Sequence, residues 1–293
     1  PDSGPNDVLV KVHATSVNPV DYKIRQAGSW PGVSPPAIIG YDVSGVVEEV
    51  GEAVADLQPG DEVFYTPEIF IGDGSYAEYH AADAAIVAPK PPGLSHTEAA
   101  SLPLAGGIGW DALQMAGALQ VGETVVVHGG GGVGALAVQI AKASGARVLA
   151  VCSGYMVDVL EDLGVDVAID RDGEDFVEVV EEAVAEGVDV VLDTVGGDAL
   201  ERTIGVTREY GTLVGIVGTS VDLAKAWTSN VTVHKPFLQR ARYKLLALHT
   251  LVERGQLRPV IDSVLGLERV GEAHRRLEKG GVKGKIVLDV AGG

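Results

Sequence analysis

Three glycines, Gly129, Gly131 and Gly134, have the spacing that binds a dinucleotide. They follow a stretch rich in β-branched residues, 124–128, and precede a helical pattern of apolar residues. In such a strand-to-helix turn, one glycine permits the tight turn and one lets a pyrophosphate approach the backbone, while the third lets the helix pack on the strand. The spacing therefore predicts binding of a cofactor diphosphate.

The helix that follows begins with Gly132 and Val133, whose N–H groups lie at the positive end of the helix dipole. These N–H groups are predicted to bind the diphosphate. Four adjacent glycines are also compatible with a flexible loop that binds nothing. A second strand at 147–151 completes the order of a βαβ unit and favours the dinucleotide.

The end of that second strand bears on the choice of cofactor. NAD-specific sites carry Asp or Glu there to bind the ribose 2′-hydroxyl, whereas this strand ends at Cys152 and Ser153, without a carboxylate. A 2′-phosphate then avoids a repulsion of about 4 kcal/mol, estimated for charges about 4 Å apart at a dielectric near 20. We therefore predict NADPH rather than NADH, with Ser153 at the ribose and Arg171 on the phosphate. The alternative is that Arg171 only pairs with its neighbouring aspartates.

The composition excludes several classes of protein. A chain of 293 residues, 46% of them hydrophobic, can form one large or two ordinary domains. A formal net charge of −19 repels phosphate backbones, so nucleic acid is not an expected partner. No long apolar run or leader is present, which predicts a cytoplasmic protein without a membrane partner. Cys152 is the only cysteine, which excludes an internal disulfide framework.

The acidic excess also bears on the source of the protein. The 41 acidic residues, against 22 basic ones, repel one another, and about 1 M salt shortens the Debye length to about 3 Å. This favours a halophilic, salt-adapted source. The alternative is an ordinary acidic cytosolic protein.

The patterning divides the chain into two kinds of structure. The first hundred residues carry short strands between Gly and Pro turns, which is typical of a small β-barrel; 38–50 is predicted as a strand pair and 84–88 as a strand. After about residue 122, strands alternate with helices, which predicts a doubly wound parallel sheet. The predicted strands of this sheet are 124–128, 147–151, 167–169, 188–193, 211–217 and 231–234. Helices are predicted at 238–253 and 270–279, before a last strand at 284–290.

Seven motifs occur in order along the chain. They are VKVHATSVNPVDYKIRQAG (10–28), GYDVSGVVEEVG (40–51), PGDEVF (59–64), AASLPLAGG (99–107), VVVHGGGGVGALAVQIAK (125–142), DVVLDTVGG (189–197) and GKIVLDV (284–290). Together they resemble the medium-chain dehydrogenase/reductase superfamily, and within it the zinc-independent quinone oxidoreductases similar to zeta-crystallin. The Asn-Pro-Val-Asp-x-Lys form at 18–23 is most similar to the enone and alkenal reductase branch.

The resemblance implies an α/β fold with a Rossmann dinucleotide-binding domain at 99–237. It also implies a GroES-like catalytic domain, a small β-barrel built from both chain ends, at 1–98 and 238–293. Members of the family bind substrate in the cleft between these domains and are commonly homodimers or homotetramers. They usually carry an additional N-terminal strand, which implies that residues precede Pro1.

The resemblance also suggests the catalytic residues. Zinc-dependent branches carry Cys before the Asn-Pro position and His-Glu where this chain has Tyr41 and Asp42, so no metal is expected. Asn18 and Lys23 match the family residues that would stabilise negative charge on a carbonyl oxygen, and one such donor contributes about 3–4 kcal/mol. The alternatives are that Asn18 only organises a turn and that Lys23 is solvated.

Further cofactor contacts follow from the same resemblance. Lys285 resembles a family residue that reaches the cofactor phosphates, and its alternative is a surface lysine at a strand end. Ile108 replaces a family Thr beside the nicotinamide carboxamide and cannot donate a hydrogen bond. The ring is therefore expected to be held near Val195, Val217, Phe237 and Leu238.

The leading interpretation is an NADPH-dependent reductase that transfers hydride to quinones or α,β-unsaturated carbonyls. Such acceptors are electron-poor and need no metal to polarise them. One alternative is a low-turnover NADPH-binding sensor or a structural, crystallin-like protein, and another is a zinc alcohol dehydrogenase.

Overall fold

The computed structural model describes residues 3–28, 33–69, 73–218 and 223–292. The chain forms two compact units. The terminal unit combines Pro1–Gly107 with Arg240–Gly293, and the central unit is Ile108–Gln239. Both chain ends therefore belong to one unit.

The bounds of the regular elements are as follows. The strands are β1 (Asp7–Val17), β2 (Val43–Val50), β3 (Glu62–Tyr65), β4 (Tyr79–Asp83), β5 (Ala88–Pro89), β6 (Thr124–His128), β7 (Arg147–Cys152), β8 (Val167–Asp170), β9 (Val188–Asp193), β10 (Thr207–Gly215), β11 (Thr232–His234), β12 (Ile261–Gly266) and β13 (Lys285–Asp289). The helices are α1 (Pro19–Ala27), α2 (His96–Ala99), α3 (Pro103–Trp110), α4 (Gly132–Ala143), α5 (Val157–Asp162), α6 (Phe176–Ala183), α7 (Asp198–Val206), α8 (Leu223–Thr228), α9 (Arg242–Glu253) and α10 (Val270–Lys279).

The terminal unit contains a seven-stranded sheet with the order β12-β13-β1-β2-β3-β5, in which β4 also pairs with β1. The C-terminal β13 runs antiparallel to β1, with Ala14 opposite Asp289 and Val17 opposite Ile286. This pairing confirms the prediction that the last strand joins the N-terminal sheet. It also brings Lys285, at the start of β13, beside the end of β1.

The central unit is a six-stranded parallel sheet with the order β11-β10-β9-β6-β7-β8. Its strands carry nearly continuous apolar residues because helices cover both faces of such a sheet. Val126, Leu149, Val191 and Leu213 are fully buried in its core. The strand order reverses between β6 and β9, which is the switch point at which doubly wound sheets bind their ligands. The predicted Rossmann fold is confirmed.

Two predicted strands in the terminal unit differ from those observed. The predicted pair at 38–50 is the single strand β2, because Gly40 adopts φ 103° and its carbonyl accepts a bond from the Ser75 N–H instead of a ladder partner. The predicted strand at 84–88 begins as a short 3₁₀ turn, because the Asp83 carboxylate accepts the Ala85 N–H at 2.8 Å.

The boundaries of the units also differ from the predicted domain limits of 98/99 and 237/238, lying instead at 107/108 and 239/240. Residues 99–107, which the prediction assigned to the Rossmann domain, contact other parts of the terminal unit. Ala100 packs with Ala14 and Val287, and the Leu104 N–H donates to the Asp42 carboxylate at 2.7 Å. These contacts explain why residues 99–107 belong with the chain ends.

Within the ranges described above, no helix combines the length and apolar character needed to cross a membrane.

Candidate dinucleotide site and buried polar network

The turn between β6 and α4 depends on glycine at Gly129 and Gly134. Gly129 adopts φ 109°, a conformation that only glycine adopts readily, and its N–H donates to the Val151 carbonyl at 2.8 Å. A β-carbon at Gly129 would lie 2.1 Å from Thr194 Oγ1, and one at Gly134 would lie 1.6 Å from the Gly129 carbonyl oxygen. Both glycines are therefore required by the packing of the turn.

Gly131 differs, because a β-carbon there would meet no atom within 4 Å. It precedes α4, a helix of 12 residues with no side-chain cap, so the N–H groups of Gly132 and Val133 at the helix start are not capped by a side chain. An open approach to N–H groups at a helix start is what a pyrophosphate needs. The five residues predicted to bind phosphate thus lie in one turn, and the N–H groups at its helix start are open on the side of Gly131.

The end of β7 does have a carboxylate beside it, contrary to the prediction from the sequence. Asp170, the last residue of β8, lies opposite Cys152, and its Oδ2 would be 2.7 Å from a β-carbon on Gly154. A carboxylate therefore does lie beside the end of β7, supplied by the neighbouring strand rather than by β7 itself. The half-buried Ser153 directly precedes Gly154.

Arg171 and Cys152 lie at the same edge of the sheet. The Arg171 side chain is 49% exposed, and its Nε is 3.7 Å from Asp172 Oδ1. This contact agrees with the alternative that Arg171 pairs with a neighbouring aspartate. Burial, and then the charge of Asp170, raise the pKa of the Cys152 thiol to about 11. This thiol is therefore not activated as a nucleophile.

The other predicted nicotinamide residues also lie in the central unit. Asp193, at the end of β9, accepts the N–H groups of Val195 and Gly196 at 2.9 and 3.0 Å. Val195 is thereby held at the glycine turn, since its Cγ2 would lie 3.1 Å from a β-carbon on Gly129. Val217 follows β10, while Phe237 is exposed and Leu238 is buried.

The terminal unit contains a buried carboxylate, Asp42, that accepts four hydrogen bonds. Its donors are Ser16 Oγ at 2.6 Å, Asn18 Nδ2 at 2.7 Å, the Leu104 N–H at 2.7 Å and Lys285 Nζ at 3.4 Å. Asp42 is fully buried. A buried charge persists only when it is paired and hydrogen-bonded in this way.

The position of Lys285 corrects its predicted role. Lys285 is 5% exposed, and its ammonium donates to the Val17 carbonyl at 3.1 Å, to Asn18 Oδ1 and to Asp42. An ammonium has three N–H groups, and all three have acceptors inside the terminal unit. None is left for a cofactor phosphate, so Lys285 fixes Asn18 and compensates the charge of Asp42.

The predicted catalytic pair is not brought together by α1. Asn18 is 2% exposed and held by three residues, because its backbone N–H also donates to Asp21 Oδ2 at 2.7 Å. Lys23 is exposed on the helix, whereas Asp21 and Ile24 form its buried face. Asn18 is therefore part of the buried network, and Lys23 is not.

Asp21 is a residue that the sequence analysis missed. Burial raises its pKa to about 7, even though hydrogen bonds from the Asn18 N–H and Tyr76 lower it. Tyr76 Oη donates to Asp21 Oδ2 at 2.8 Å and lies 3.2 Å from His274 Nε2. The spacing Asn18-Pro19-x-Asp21 is a helix-start signal that could have identified the carboxylate. No local signal links Tyr76 to His274, since 198 residues separate them.

Comparisons with known proteins agree with this architecture. Residues 4–92 match the alcohol dehydrogenase GroES-like domain family, and residues 163–288 match the family described as zinc-binding dehydrogenase. A 2-methylene-furan-3-one reductase of Solanum lycopersicum is 36% identical, over 98% of this chain and 73% of that protein. An NADPH-dependent alkenal/one oxidoreductase of Arabidopsis thaliana chloroplasts is 34% identical over the same shares. The solved quinone oxidoreductase from Coxiella burnetii is 34% identical, with a TM-score of 0.89 over 99% of this chain and 92% of that one.

The chain belongs to the medium-chain dehydrogenase/reductase superfamily. It is therefore an oxidoreductase, and the named relatives support its place in the zinc-independent branch and a nicotinamide cofactor. The family description mentions zinc, but the residues here do not fit it. The Asp42 carboxylate already accepts four hydrogen bonds, and no cluster of three His, Cys, Asp or Glu suited to a metal occurs among the residues that the structure describes.

Proposed function

We propose that this oxidoreductase transfers hydride from NADPH to quinones or α,β-unsaturated carbonyls without zinc. The observation that carries the proposal is the β6–α4 turn, in which the open side of Gly131 and the N–H groups of α4 suit a pyrophosphate. Relatives named as enone and quinone reductases support the substrate class. When bound, the reduced nicotinamide supplies the hydride.

The terminal unit is proposed to hold the acceptor beside an apolar cluster. Ile24, Val33, Tyr41 and Ile69 form this cluster, on which Leu104 also packs. The Leu104 N–H donates to Asp42, so apolar contacts and the Asn18 network share one region of the unit. Such surroundings suit an apolar, uncharged acceptor.

Asn18 is proposed to stabilise the negative charge that develops on the acceptor oxygen. Lys285 and Asp42 fix its amide, and one Nδ2–H remains beyond the bond to Asp42. A fixed donor loses little free energy to reorganisation during the reaction. The exposed Lys23 stays the second proposed donor.

The test is steady-state oxidation of NADPH and NADH with a quinone, an enone and, as the control, the corresponding saturated ketone. Low and high salt are compared, because the net charge is −19. We expect turnover with the first two acceptors, faster with NADPH and insensitive to a zinc chelator. Tight binding of NADPH with no turnover would instead support the low-turnover sensor. A cytoplasmic location and a homodimeric or homotetrameric state stay proposals, and light scattering tests the second.

A further inference from the structure

Four side chains of the terminal unit form a line of hydrogen bonds that leads inward. An arginine can only donate, so the bond of 3.2 Å from Arg25 Nε to His274 Nδ1 makes Nδ1 the acceptor. That bond assigns the proton of the neutral imidazole to Nε2, which lies 3.2 Å from Tyr76 Oη. Tyr76 in turn donates to Asp21 Oδ2 at 2.8 Å. Every proton in the line points towards Asp21.

The two ends of the line have different surroundings. The Arg25 side chain is 49% exposed and pairs with Glu278, which places the outer end at the surface. Asp21 is fully buried, and its Oδ1 has no hydrogen-bond partner among the described residues. A proton on Oδ1 would thus find no acceptor among the described residues. Its acceptor would be a bound molecule.

Charged and titratable groups face Asp21 from several elements. Burial raises the pKa of Asp21 most and Asp42 adds to that effect, while the positive charge of Lys285, on β13, opposes it, and the result is about 7. Burial and then Asp21 raise the pKa of Tyr41 to about 12, while Arg240 opposes them.

The pKa shifts of the groups further along the line keep His274 and Tyr76 in their neutral forms near pH 7, as the hydrogen bonds of the line require. Burial and then Arg25 lower the pKa of His274, against Glu278, and burial followed by Asp21 raises that of Tyr76 far above its usual range. A carboxyl group that titrates near neutral pH is suited to general acid catalysis, because both of its protonation states are then accessible.

We propose that Asp21 is the general acid that protonates the reduced acceptor, and that Tyr76 and His274 return a proton to it from the surface. The inference rests on the proposed function. Hydride transfer breaks a C–H bond of the donor and forms a C–H bond on an enone or an O–H bond on a quinone. The electron pair of the acceptor's broken π bond is left as an enolate or a hydroquinone anion. The Asp21 O–H bond then breaks, and its proton passes to that anion directly or through one water. The Tyr76 proton moves to Asp21 Oδ2 as the His274 Nε2 proton moves to Tyr76 and a proton from solvent reaches His274 Nδ1, from which the half-exposed Arg25 side chain has turned away. His274 therefore stays neutral. Rotation of the Asp21 carboxyl then places the new proton at the Oδ1 position, and exchange with solvent returns the His274 proton to Nε2.

The same unit contains a matched pair that lacks a carboxyl group. Tyr65 Oη lies 2.9 Å from His80 Nδ1, and His80 Nε2 lies 2.9 Å from the carbonyl oxygen of Asp73. The ring centroids are 5.6 Å apart, close to the 5.8 Å between Tyr76 and His274. Removing the Tyr65 hydroxyl therefore disturbs a buried Tyr–His pair without interrupting the line to Asp21.

The experiment compares Tyr76→Phe with Tyr65→Phe in the full chain, with NADPH and an enone. We expect Tyr76→Phe to lower kcat by at least about 10-fold and to raise the solvent isotope effect. The isotope effect from NADPH deuterated at the transferred position should not rise, and the Kd for NADPH should stay as in the wild type. Tyr65→Phe should match the wild type in all four measurements. Equal behaviour of the two variants would overturn the relay.

Asp21→Asn provides the second measurement. We expect the kcat of the wild type to fall as pH rises above about 7, where Asp21 loses its proton, and the profile of Asp21→Asn to be low and flat. An unchanged profile would refute Asp21 as the acid. If the wild type turns over and Tyr76→Phe and Asp21→Asn behave like it, the relay is refuted but the proposed function stands. If the wild type shows no turnover, the proposed function and the relay are both refuted.

Discussion

The glycine turn of the central unit and the polar network of the terminal unit are built in opposite ways. The turn, 129–134, is local in sequence and depends on side chains that are missing, since a β-carbon at Gly134 would collide with the Gly129 carbonyl. The network depends on buried charges, and its partners Asn18 and Lys285 are 267 residues apart. A turn that depends on adjacent glycines can therefore be predicted from the sequence. A network in which distant residues balance each other's charges can be recognised only once the fold is known.

The largest expected effect comes from Gly134→Ala. Its new methyl group would lie 1.6 Å from the Gly129 carbonyl oxygen, which no rotation of a side chain can relieve. We expect a loss of at least about 3 kcal/mol in the free energy of unfolding and no measurable cofactor binding. Denaturant unfolding and titration with NADPH measure the two effects.

Gly131→Ala is the matched variant in the same turn. Its methyl group meets no protein atom within 4 Å, so we expect unchanged stability but a Kd for NADPH raised by at least about 10-fold, since the backbone no longer meets the pyrophosphate closely. If the two variants were equally stable, the packing argument for Gly134 would be wrong. If Gly131→Ala bound NADPH normally, the diphosphate would not lie at this turn.

Lys285→Met breaks the network from its cationic side. It leaves Asp42 fully buried without a positive partner, and removing one member of such a pair costs about 3–5 kcal/mol. Lys283→Met, at an exposed lysine just before β13, should change the free energy of unfolding by less than about 0.5 kcal/mol. A similar small loss in Lys285→Met would show that hydrogen bonds alone sustain the Asp42 charge.

Asp21 makes the stability of the terminal unit depend on pH. Its pKa rises from 3.8 to about 7 on folding, so the folded state binds the proton more tightly than the unfolded chain does. The stability from this group is complete below pH 3.8 and is lost as pH rises through 7, amounting to as much as about 4 kcal/mol. Asp21→Asn lacks this loss, so we expect its stability relative to the wild type to increase between pH 4 and pH 8. Parallel curves from denaturant unfolding at both pH values would contradict a raised pKa.

Features that are local in sequence, like the glycine turn, were predicted, whereas features that join distant residues, like the polar network, were not. Turn chemistry was sufficient to predict short strands in the first hundred residues, and the glycine turn was placed between β6 and α4 correctly because its residues are adjacent. The strand β12 was not predicted, and its neighbour β13 could be assigned to the N-terminal sheet only through family resemblance. Tyr76 and His274 carry no pattern that joins them, and the role of Lys285 was misjudged because nothing in the sequence shows its three acceptors.

The smallest expected effect concerns the choice between NADPH and NADH at the end of β7. Arg171 is half exposed and pairs loosely with Asp172, so its attraction for a 2′-phosphate is screened by solvent. We expect Arg171→Ala to raise the Kd for NADPH by less than about 10-fold and to leave that for NADH unchanged.

Asp170→Asn also tests the choice between NADPH and NADH, because the Asp170 carboxylate lies beside Gly154, where the ribose of a Rossmann-bound cofactor is expected. Removing its charge should strengthen the binding of NADPH relative to NADH. If both substitutions left the ratio of the two Kd values unchanged, the 2′-phosphate would not meet this edge of the sheet. If Asp170→Asn weakened NADH alone, Asp170 would be the residue that binds the ribose hydroxyl, and the preference for NADPH inferred from β7 would be reversed.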